Sequence, residues 1–379
     1  MKIILFGAGR CGRLALNQYG DKVEFFVDNN KEIQGKYIHG IKVISFEQLL
    51  SIYKDYEIVI STKYEEKIIS LLEEHGITNY SRYTLNDMRY FPTDELIVNP
   101  YDTPLGTYLD QSEAGRQQII EEIDEQVKRL VNSKNLFNHV EIETINRCNG
   151  SCSFCPVSKK NDTRVFHKMS WELFTKIIDQ LAALDYSGKL ALFSNNEPFL
   201  DDSIIEKHKY AREKLPYARM HLFTNGTMLT IDKFVDVVSY LDELIIDNYH
   251  QELKLIKTCA DIVKYCENHP ELKKKVTIVL RKREEILSNR GGTAPNKGKS
   301  LGNDTVKCTL PFKQLIIRPD GKVSLCCNDP LGKNTLGDLK IDALVDVWFG
   351  EKMNAVRECL SEGRGTYKYC KCCDVLALG

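Results

Sequence analysis

Hydrophobic and polar positions along the chain fall into two strand-and-helix rhythms separated by an irregular stretch. In the first, Lys2 to Phe6 reads as a buried strand, and a helix follows to about Tyr19. Glu24 to Val27, Val43-Ile44 and Glu57 to Ser61 read as further strands. Ser45-Phe46-Glu47-Gln48 has the form of a capping box and starts a helix to Tyr53. Another helix spans about Tyr64 to His75 and stops at Gly76, a suitable C-cap. Short connections between such segments predict a small parallel α/β domain over residues 1–91.

From Pro92 to Leu109 three prolines and weak periodicity predict a linker, and an amphipathic helix follows at about Glu113 to Val131, so 92–137 reads as linker and helix. The rhythm then restarts. His139 to Thr144, Lys189 to Phe193, Arg219 to Thr224, Glu243 to Ile246 and Lys275 to Leu280 read as strands. Helices are expected at about Trp171 to Ala183, Asp202 to Lys214, Ile231 to Leu241 and Glu252 to Asn268. About five or six βα units are too few to close an eight-stranded barrel, so an open, partial (β/α)6 barrel of the TIM type is expected over 138–300. Residues 289 to 307, rich in Gly, Asn and Lys, suit an active-site loop. Gln314 to Ile317 and Lys322 to Leu325, joined by Pro319-Asp320-Gly321, predict a β-hairpin, followed by a helix at about Ile341 to Glu358 and a Cys-rich tail, all within 301–379.

The 379 residues carry 52 basic and 53 acidic side chains, a net charge of −1. That balance argues against a nucleic-acid binder, which draws affinity from excess Lys and Arg. No apolar run approaches the length needed to span a bilayer. Met1-Lys2 leads into a Gly-rich turn with no apolar targeting segment, so a cytoplasmic location is expected. In a reducing compartment, thirteen cysteines point to metal or cluster ligation before disulfides.

Cys148, Cys152 and Cys155 follow the first strand of the second rhythm, where α/β barrels place their chemistry. Structural zinc normally takes four ligands, and neither a His nor a fourth Cys lies nearby in sequence. Three thiolates on a [4Fe–4S] cluster leave one iron open. This C-x3-C-x2-C spacing, with Phe154 before the last Cys, resembles the radical S-adenosylmethionine (SAM) superfamily, over about residues 138 to 379. The resemblance implies that the open iron binds SAM and that reductive cleavage yields a 5′-deoxyadenosyl radical that abstracts a substrate hydrogen. It also implies an electron donor such as flavodoxin or ferredoxin.

Ser194-Asn195-Asn196-Glu197-Pro198 occupies the place of the family's Gly-Gly-Glu-Pro segment, so the resemblance gives Glu197 the SAM ammonium. The two asparagines depart from that pattern. Thr224-Asn225-Gly226-Thr227 resembles the Thr-Asn-Gly segment facing SAM and makes Asn225 a second candidate. Cys308 and Cys326 bracket the predicted hairpin, and Cys370 and Cys373 form a C-x2-C in the tail. Four thiolates can complete a fully ligated [4Fe–4S] cluster, which zinc could also occupy. Their spacing resembles the twitch domain, the shortened relative of the SPASM domain, and implies one auxiliary cluster. Cys327 and Cys372 are adjacent spares, while Cys11, Cys259, Cys266 and Cys359 read as packing.

Gly7, Gly9 and Gly12 form a G-x-G-x-x-G turn, and Asp28 ends the next strand near the place of a ribose ligand in a Rossmann unit. The segment also resembles small Rossmann-like domains of sugar acetyltransferases and other glycan enzymes. NAD(P) and a nucleotide sugar therefore compete as its ligand, beside an empty fold.

A twitch architecture resembles that of alcohol dehydrogenation in aminocyclitol antibiotic biosynthesis, where the auxiliary cluster accepts an electron. The first expectation is thus a radical SAM oxidoreductase acting on a carbohydrate, cyclitol or nucleotide-sugar-like small molecule. His250 is the candidate base, with Arg281 and Arg290 as hydroxyl or anion binders. Epimerisation would need a hydrogen donor, for which Cys327 is the candidate. A peptide maturase is the alternative, and a non-radical nucleotide-binding protein with a zinc-ribbon-like tail would leave Cys148, Cys152 and Cys155 unexplained.

Overall fold

The computed structural model describes residues 2–62, 65–83, 113–131, 133–298 and 304–376. Its contacts divide the chain into two compact units, Met1–Thr103 and Pro104–Gly379. The linker expected from Pro92 to Leu109 lies outside the described residues, as does the first residue of the helix expected from Tyr64.

The first unit holds β1 (Lys2–Phe6), β2 (Val23–Val27), β3 (Tyr37–Ile38), β4 (Ile41–Ile44), β5 (Tyr56–Ile60) and β6 (Tyr80–Arg82), with helices α1 (Arg10–Tyr19), α2 (Phe46–Ile52) and α3 (Glu65–Glu74). Its sheet runs β3-β4-β2-β1-β5-β6, parallel except for the β3–β4 pair. Alternation along β1 explains the layers. Ile3 and Leu5 join a cluster with Ala15 of α1, whereas Ile4 and Phe6 join one with Leu49 of α2 and Ile68 and Leu72 of α3. The capping box forms as read: Ser45 Oγ accepts from Gln48 N–H, and Ser45 N–H donates to Gln48 Oε1. The β3–β4 hairpin was not foreseen, because its strands are short. It turns at His39-Gly40, both with positive φ, which suits a tight hairpin.

The second unit holds β7 (His139–Ile142), β8 (Lys189–Ala191), β9 (Arg219–Thr224), β10 (Glu243–Tyr249), β11 (Val276–Arg281), β12 (Gln314–Ile317), β13 (Lys322–Ser324) and β14 (Thr335–Asp338). Helices α4 (Glu113–Val131), α5 (Trp171–Ala183), α6 (Ile204–Lys214), α7 (Ile231–Val238), α8 (Lys257–Glu267), α9 (Pro270–Lys273), α10 (Leu344–Trp348) and α11 (Glu351–Glu362) surround the sheet order β11-β10-β9-β8-β7-β12-β13-β14. Strands β7 to β11 are parallel neighbours in chain order. The first hairpin strand, β12, pairs in parallel with β7, so the C-terminal segment extends the same sheet.

Three of the boundaries that differ from the sequence reading have local reasons. Strand β10 continues past Ile246 to Tyr249 because Asn248, fully buried, satisfies its side chain on Lys254 O and Ile256 N. Those bonds and Leu253, at φ 57°, delay the next helix to Lys257. The single helix expected from Ile341 to Glu358 is two, with Gly350 capping the second, where a Cβ would come within 2.6 Å of Asp346 O.

Glycine carries different weights in the first turn. A Cβ on Gly12 would overlap the Gly7 carbonyl oxygen, and one on Gly7, at φ 115°, would meet Ser61 O at 2.8 Å; around Gly9 there is open space. Gly12→Ala should therefore destabilise the N-terminal unit by roughly 1–3 kcal/mol, and Gly9→Ala by no more than about 0.5 kcal/mol. Denaturant unfolding of the full chain followed by hydrogen exchange at β1 and β2 checks the contrast.

Candidate functional site

The strand ends β7 to β10 deliver their following loops to one cavity of about 290 Å³. Cys148, Cys152, Phe154 and Cys155 line it from the loop after β7, Ser194 to Glu197 from the loop after β8, and Thr224 and Asn225 from the end of β9. The extension of β10 adds Asp247 and Tyr249, and Arg290 enters from the segment after β11.

Buried polar bonds hold these loops. Arg164, with its side chain 8% exposed, pairs with Glu143 at 2.8 Å and Asp162 at 3.0 Å. Its Nη2 also donates to Asn146 O and Asn195 O, tying the cysteine loop to the loop after β8. Glu197 is 1% exposed. Its Oε1 accepts from Phe199 N and Thr224 Oγ1, and its Oε2 accepts from Asn225 N at 2.8 Å. Burial raises the Glu197 pKa, against the pull of these donors. A carboxylate oxygen offers two lone pairs, so Oε2 keeps an acceptor direction for a cation. Asn225 Oδ1 accepts from Thr227, while its Nδ2 donates to Asn149 Oδ1 at 2.8 Å and lies 4.0 Å from Cys148 Sγ. The substituted asparagines are also engaged. Asn196 Oδ1 accepts from Ser194 N, and its buried Nδ2 has no partner among the described residues. Asn195 Oδ1 accepts from Arg290, and Asn195 Nδ2 donates to Ser194 Oγ and to Cys327 O.

None of the thirteen cysteines forms a disulfide. Burial pushes the thiols of Cys148 and Cys152 up to about 12, with Cys155 contributing to both shifts as a neighbouring like charge. A Cβ on Gly150 would lie 3.3 Å from Cys148 Sγ and 4.0 Å from Cys152 Sγ, so the loop wraps closely around these two sulfurs. Among the described residues no three His, Cys, Asp or Glu side chains gather closely enough to hold a single metal ion. Three uncrosslinked sulfurs around one cavity fit a broader group, a [4Fe–4S] cluster with one open iron.

The C-terminal cysteines come together as well. Burial raises the Cys326 thiol well above its ordinary range, with Cys327, Cys308, Cys370 and Cys373 adding like charge. Cys372 instead donates to the carbonyls of Gly291 and Tyr369, which sets it apart from Cys370 and Cys373. Arg364, 2% exposed, donates to Cys373 O and opposes the upward shifts of Cys370 and Cys373. Four sulfurs with a buried guanidinium fit a second anionic, thiolate-bound cluster.

Other sequence candidates are placed differently. Arg290 reaches the cavity with its buried Nε unpaired. Arg281 stands behind the cavity wall, pairing with Asp247 at 2.7 Å and Glu285 at 3.6 Å. His250 is outside the cavity lining, and its Nδ1 accepts from Glu252 N. In the N-terminal unit, Asp28 Oδ2 accepts from Ala8 N and Oδ1 from Asn30 N, so its carboxylate holds the Gly-rich turn itself. Asp247, Tyr249, Arg164 and Arg364 were not singled out from sequence. For the first two the available signal was strand alternation beyond Ile246; for the arginines there was none.

Family comparisons now bear on this geometry. Residues 142–254 match the model for the radical SAM superfamily, residues 308–374 that for the iron-sulfur cluster-binding SPASM domain, and residues 1–82 that for the C2185-like N-terminal domain. The chain carries a radical SAM domain. Its cofactors are SAM and [4Fe–4S] clusters, including an auxiliary one. The radical SAM chain is 27% identical over 243 residues to the S-adenosyl-L-methionine-dependent 2-deoxy-scyllo-inosamine dehydrogenase of Niallia circulans, covering 63% of this chain and 93% of that protein. A crystal structure of BtrN in complex with AdoMet and 2-DOIA superposes with a TM-score of 0.55 at 26% identity, covering 64% of this chain and 95% of that one. Among the described residues of this radical SAM enzyme, no helix is long and apolar enough to cross a membrane.

Anaerobic reconstitution should give about eight irons per chain from two four-iron clusters. Replacing Cys148, Cys152 and Cys155 together by Ala should halve iron and acid-labile sulfide, and replacing Cys326 and Cys370 should remove the other half.

Proposed function

We propose that the protein is a radical SAM alcohol dehydrogenase for a cyclitol, carbohydrate or nucleotide-sugar-like small molecule. The observation that carries this reading is the segment around Arg290. Asn289 is bonded to Asp374 and Cys372 O in the cysteine tail, while the next residue reaches Asn195 at the cavity. One short segment thus joins the two cysteine groups, an arrangement suited to removing a hydrogen atom on one side and an electron on the other. The similarity to a 2-deoxy-scyllo-inosamine dehydrogenase supports a polyhydroxylated ring as substrate class.

In this reading Cys148, Cys152 and Cys155 hold the SAM-binding cluster, with Phe154 covering it beside Tyr249, whose ring centroid is 6.0 Å away. Cys308, Cys326, Cys370 and Cys373 hold the auxiliary cluster. When bound, the SAM-carrying cluster supplies a carbon-centred radical that takes a hydrogen atom, and the auxiliary cluster supplies an acceptor for the electron left behind. The spare lone pair of Glu197 Oε2 and the unpaired Asn196 Nδ2 serve the ammonium and carboxylate of SAM, and Asn225 fixes the cysteine loop through Asn149. Arg290 orients a substrate hydroxyl or anion, and Asp247, held by Arg281, offers an acceptor to substrate hydroxyl or amino groups. Apolar walls from Phe193 and Phe223 keep water from the radical. A flavodoxin or ferredoxin is the electron donor, and the cytosol is the working compartment.

The strand order of the second unit supports an open partial (β/α)6 barrel over 138–300 with a twitch-like segment over 301–379. That of the first supports a Rossmann-like domain over 1–91. Helices on both faces of its parallel sheet favour a small-molecule enzyme over a leader-binding peptide maturase. Gly7, Gly9 and Gly12 would serve an NAD(P) or nucleotide-sugar phosphate; Asp28 stabilises the turn.

With a ring-deuterated cyclitol and reductant, deuterium should pass into 5′-deoxyadenosine and a ketone should form in about equal amount. Deuterium transfer without ketone would overturn the oxidation, and 5′-deoxyadenosine free of deuterium would overturn the substrate class.

A further inference from the structure

Removing hydrogen from an alcohol carbon leaves the hydroxyl proton to be taken, and none of the cavity's cations can take it. The Arg290 guanidinium offers donors and no acceptor, and His250 lies outside the cavity. Asp247 lines the cavity but is tied to Arg281 at 2.7 Å, and a further carboxylate sits directly behind the wall. Glu141, in the middle of β7, is 7% exposed, with Val140 and Ile142 turned to the opposite face and fully buried. Its Oε2 accepts a 2.6 Å hydrogen bond from Ser194 Oγ, and Ser194 lines the cavity. We propose that Glu141 is the proton acceptor of the alcohol oxidation, working through the Ser194 hydroxyl. This rests on the dehydrogenase reading above.

Hydrogen-bond arithmetic at Ser194 supports it. The hydroxyl has one proton and two lone pairs. Its proton goes to Glu141, one lone pair accepts from Asn195 Nδ2 at 3.1 Å, and the second is left for a substrate O–H. Once the carbon has lost its hydrogen atom, the substrate O–H breaks and the C=O forms. The substrate proton passes to Ser194 Oγ as the Ser194 proton passes to Glu141 Oε2. The unpaired electron leaves to a one-electron-accepting oxidised iron–sulfur group, so the alcohol loses one hydrogen atom, one proton and one electron.

The surroundings suit a group that must gain and lose a proton. Burial raises Glu141 to about 7, opposed by the Ser194 hydrogen bond and the charge of Arg290. His139 Nε2 faces Glu141 Oε1 at 3.7 Å with no other partner among the described residues, and burial lowers the His139 pKa to about 4, so the ring is neutral at pH 7. The Cys327 thiol is the remaining titratable neighbour; Glu141 contributes to its upward shift. The residues paired with Glu141 on the adjacent strands are Ala191 and Ile316, neither of which titrates. An acceptor with a pKa near the working pH is the efficient case for base catalysis.

The test uses the reconstituted holoenzyme and a ring-deuterated alcohol. Glu141→Gln should lower ketone formed per 5′-deoxyadenosine at least about tenfold, the lower side of what a positioned base contributes, and Glu141→Asp should restore part of it. In the wild type this ratio should rise with pH through about 7, as the carboxyl ionises, and the profile should flatten in Glu141→Gln. Independently of turnover, infrared titration of the resting holoenzyme should show a carboxyl C=O band lost near the same pH, absent in Glu141→Gln and shifted in Ser194→Ala. A ratio within twofold of wild type in Glu141→Gln, or a band that titrates in the ordinary carboxylate range, overturns the proposal. If the wild type transfers deuterium but forms no ketone, the dehydrogenase reading fails, and with it the role of Glu141, even where the infrared band behaves as expected.

Discussion

The Arg164 ion cluster is the constraint on which the site depends. Its guanidinium is buried against two carboxylates and donates to one carbonyl of the cysteine loop and one of the loop after β8. Those loops have no regular backbone ladder, so without such a donor their carbonyls would be buried at a cost or would turn toward water. Removing one partner of a buried ion pair typically costs about 3–5 kcal/mol, which makes this cluster a strong lock. The charge balance is local: a near-neutral chain concentrates Arg164, Arg290 and Arg364 where backbone oxygens and cluster sulfurs need them.

Asn195 depends on that lock. Its carbonyl is fixed by Arg164, and its side chain then reaches Arg290, Ser194 and Cys327 O. Two glycines at 195 and 196 would give close backbone approach but none of these side-chain bonds. The asparagines therefore replace bare backbone with a polar junction between the cavity and the C-terminal cysteines. Glu197 plays a matching part on the other side, connecting β8 to β9 through Thr224 and Asn225.

What the sequence made legible follows from how local each signal was. The cysteine spacing, the capping box at Ser45 and the hairpin around Pro319-Asp320-Gly321 are encoded within a few residues of themselves. Helix α4 and the parallel strands were readable from periodicity. Asp247 and Tyr249 were hidden because Asp-Asn resembles a turn, whereas the ladder with β11 and the side-chain bonds of Asn248 carry the strand on to Tyr249. Arg164 and Arg364 were hidden because a charged residue in a loop reads as solvated until the groups that bury it are known. Asp28 shows the converse: a residue in the place of a ribose ligand is turned to a backbone N–H only 20 positions away.

Strand β12 lies in register beside β7, with Ile317 opposite Ile142. The loop after β7 carries Cys148, and the turn after β12 leads through β13 to Cys326, so one sulfur of each group follows a strand of the same sheet, with β12 between those two strands. Neighbouring strands are held about 4.8 Å apart by their hydrogen-bond ladder. The strands that lead to Cys148 and Cys326 are therefore held at a fixed spacing through β12. The loops after β8, β9 and β10 carry none of the seven cysteines assigned to clusters, so they can change length or side chains to admit a different molecule without altering that strand pairing. Substrate range and redox wiring can thus evolve separately on this framework.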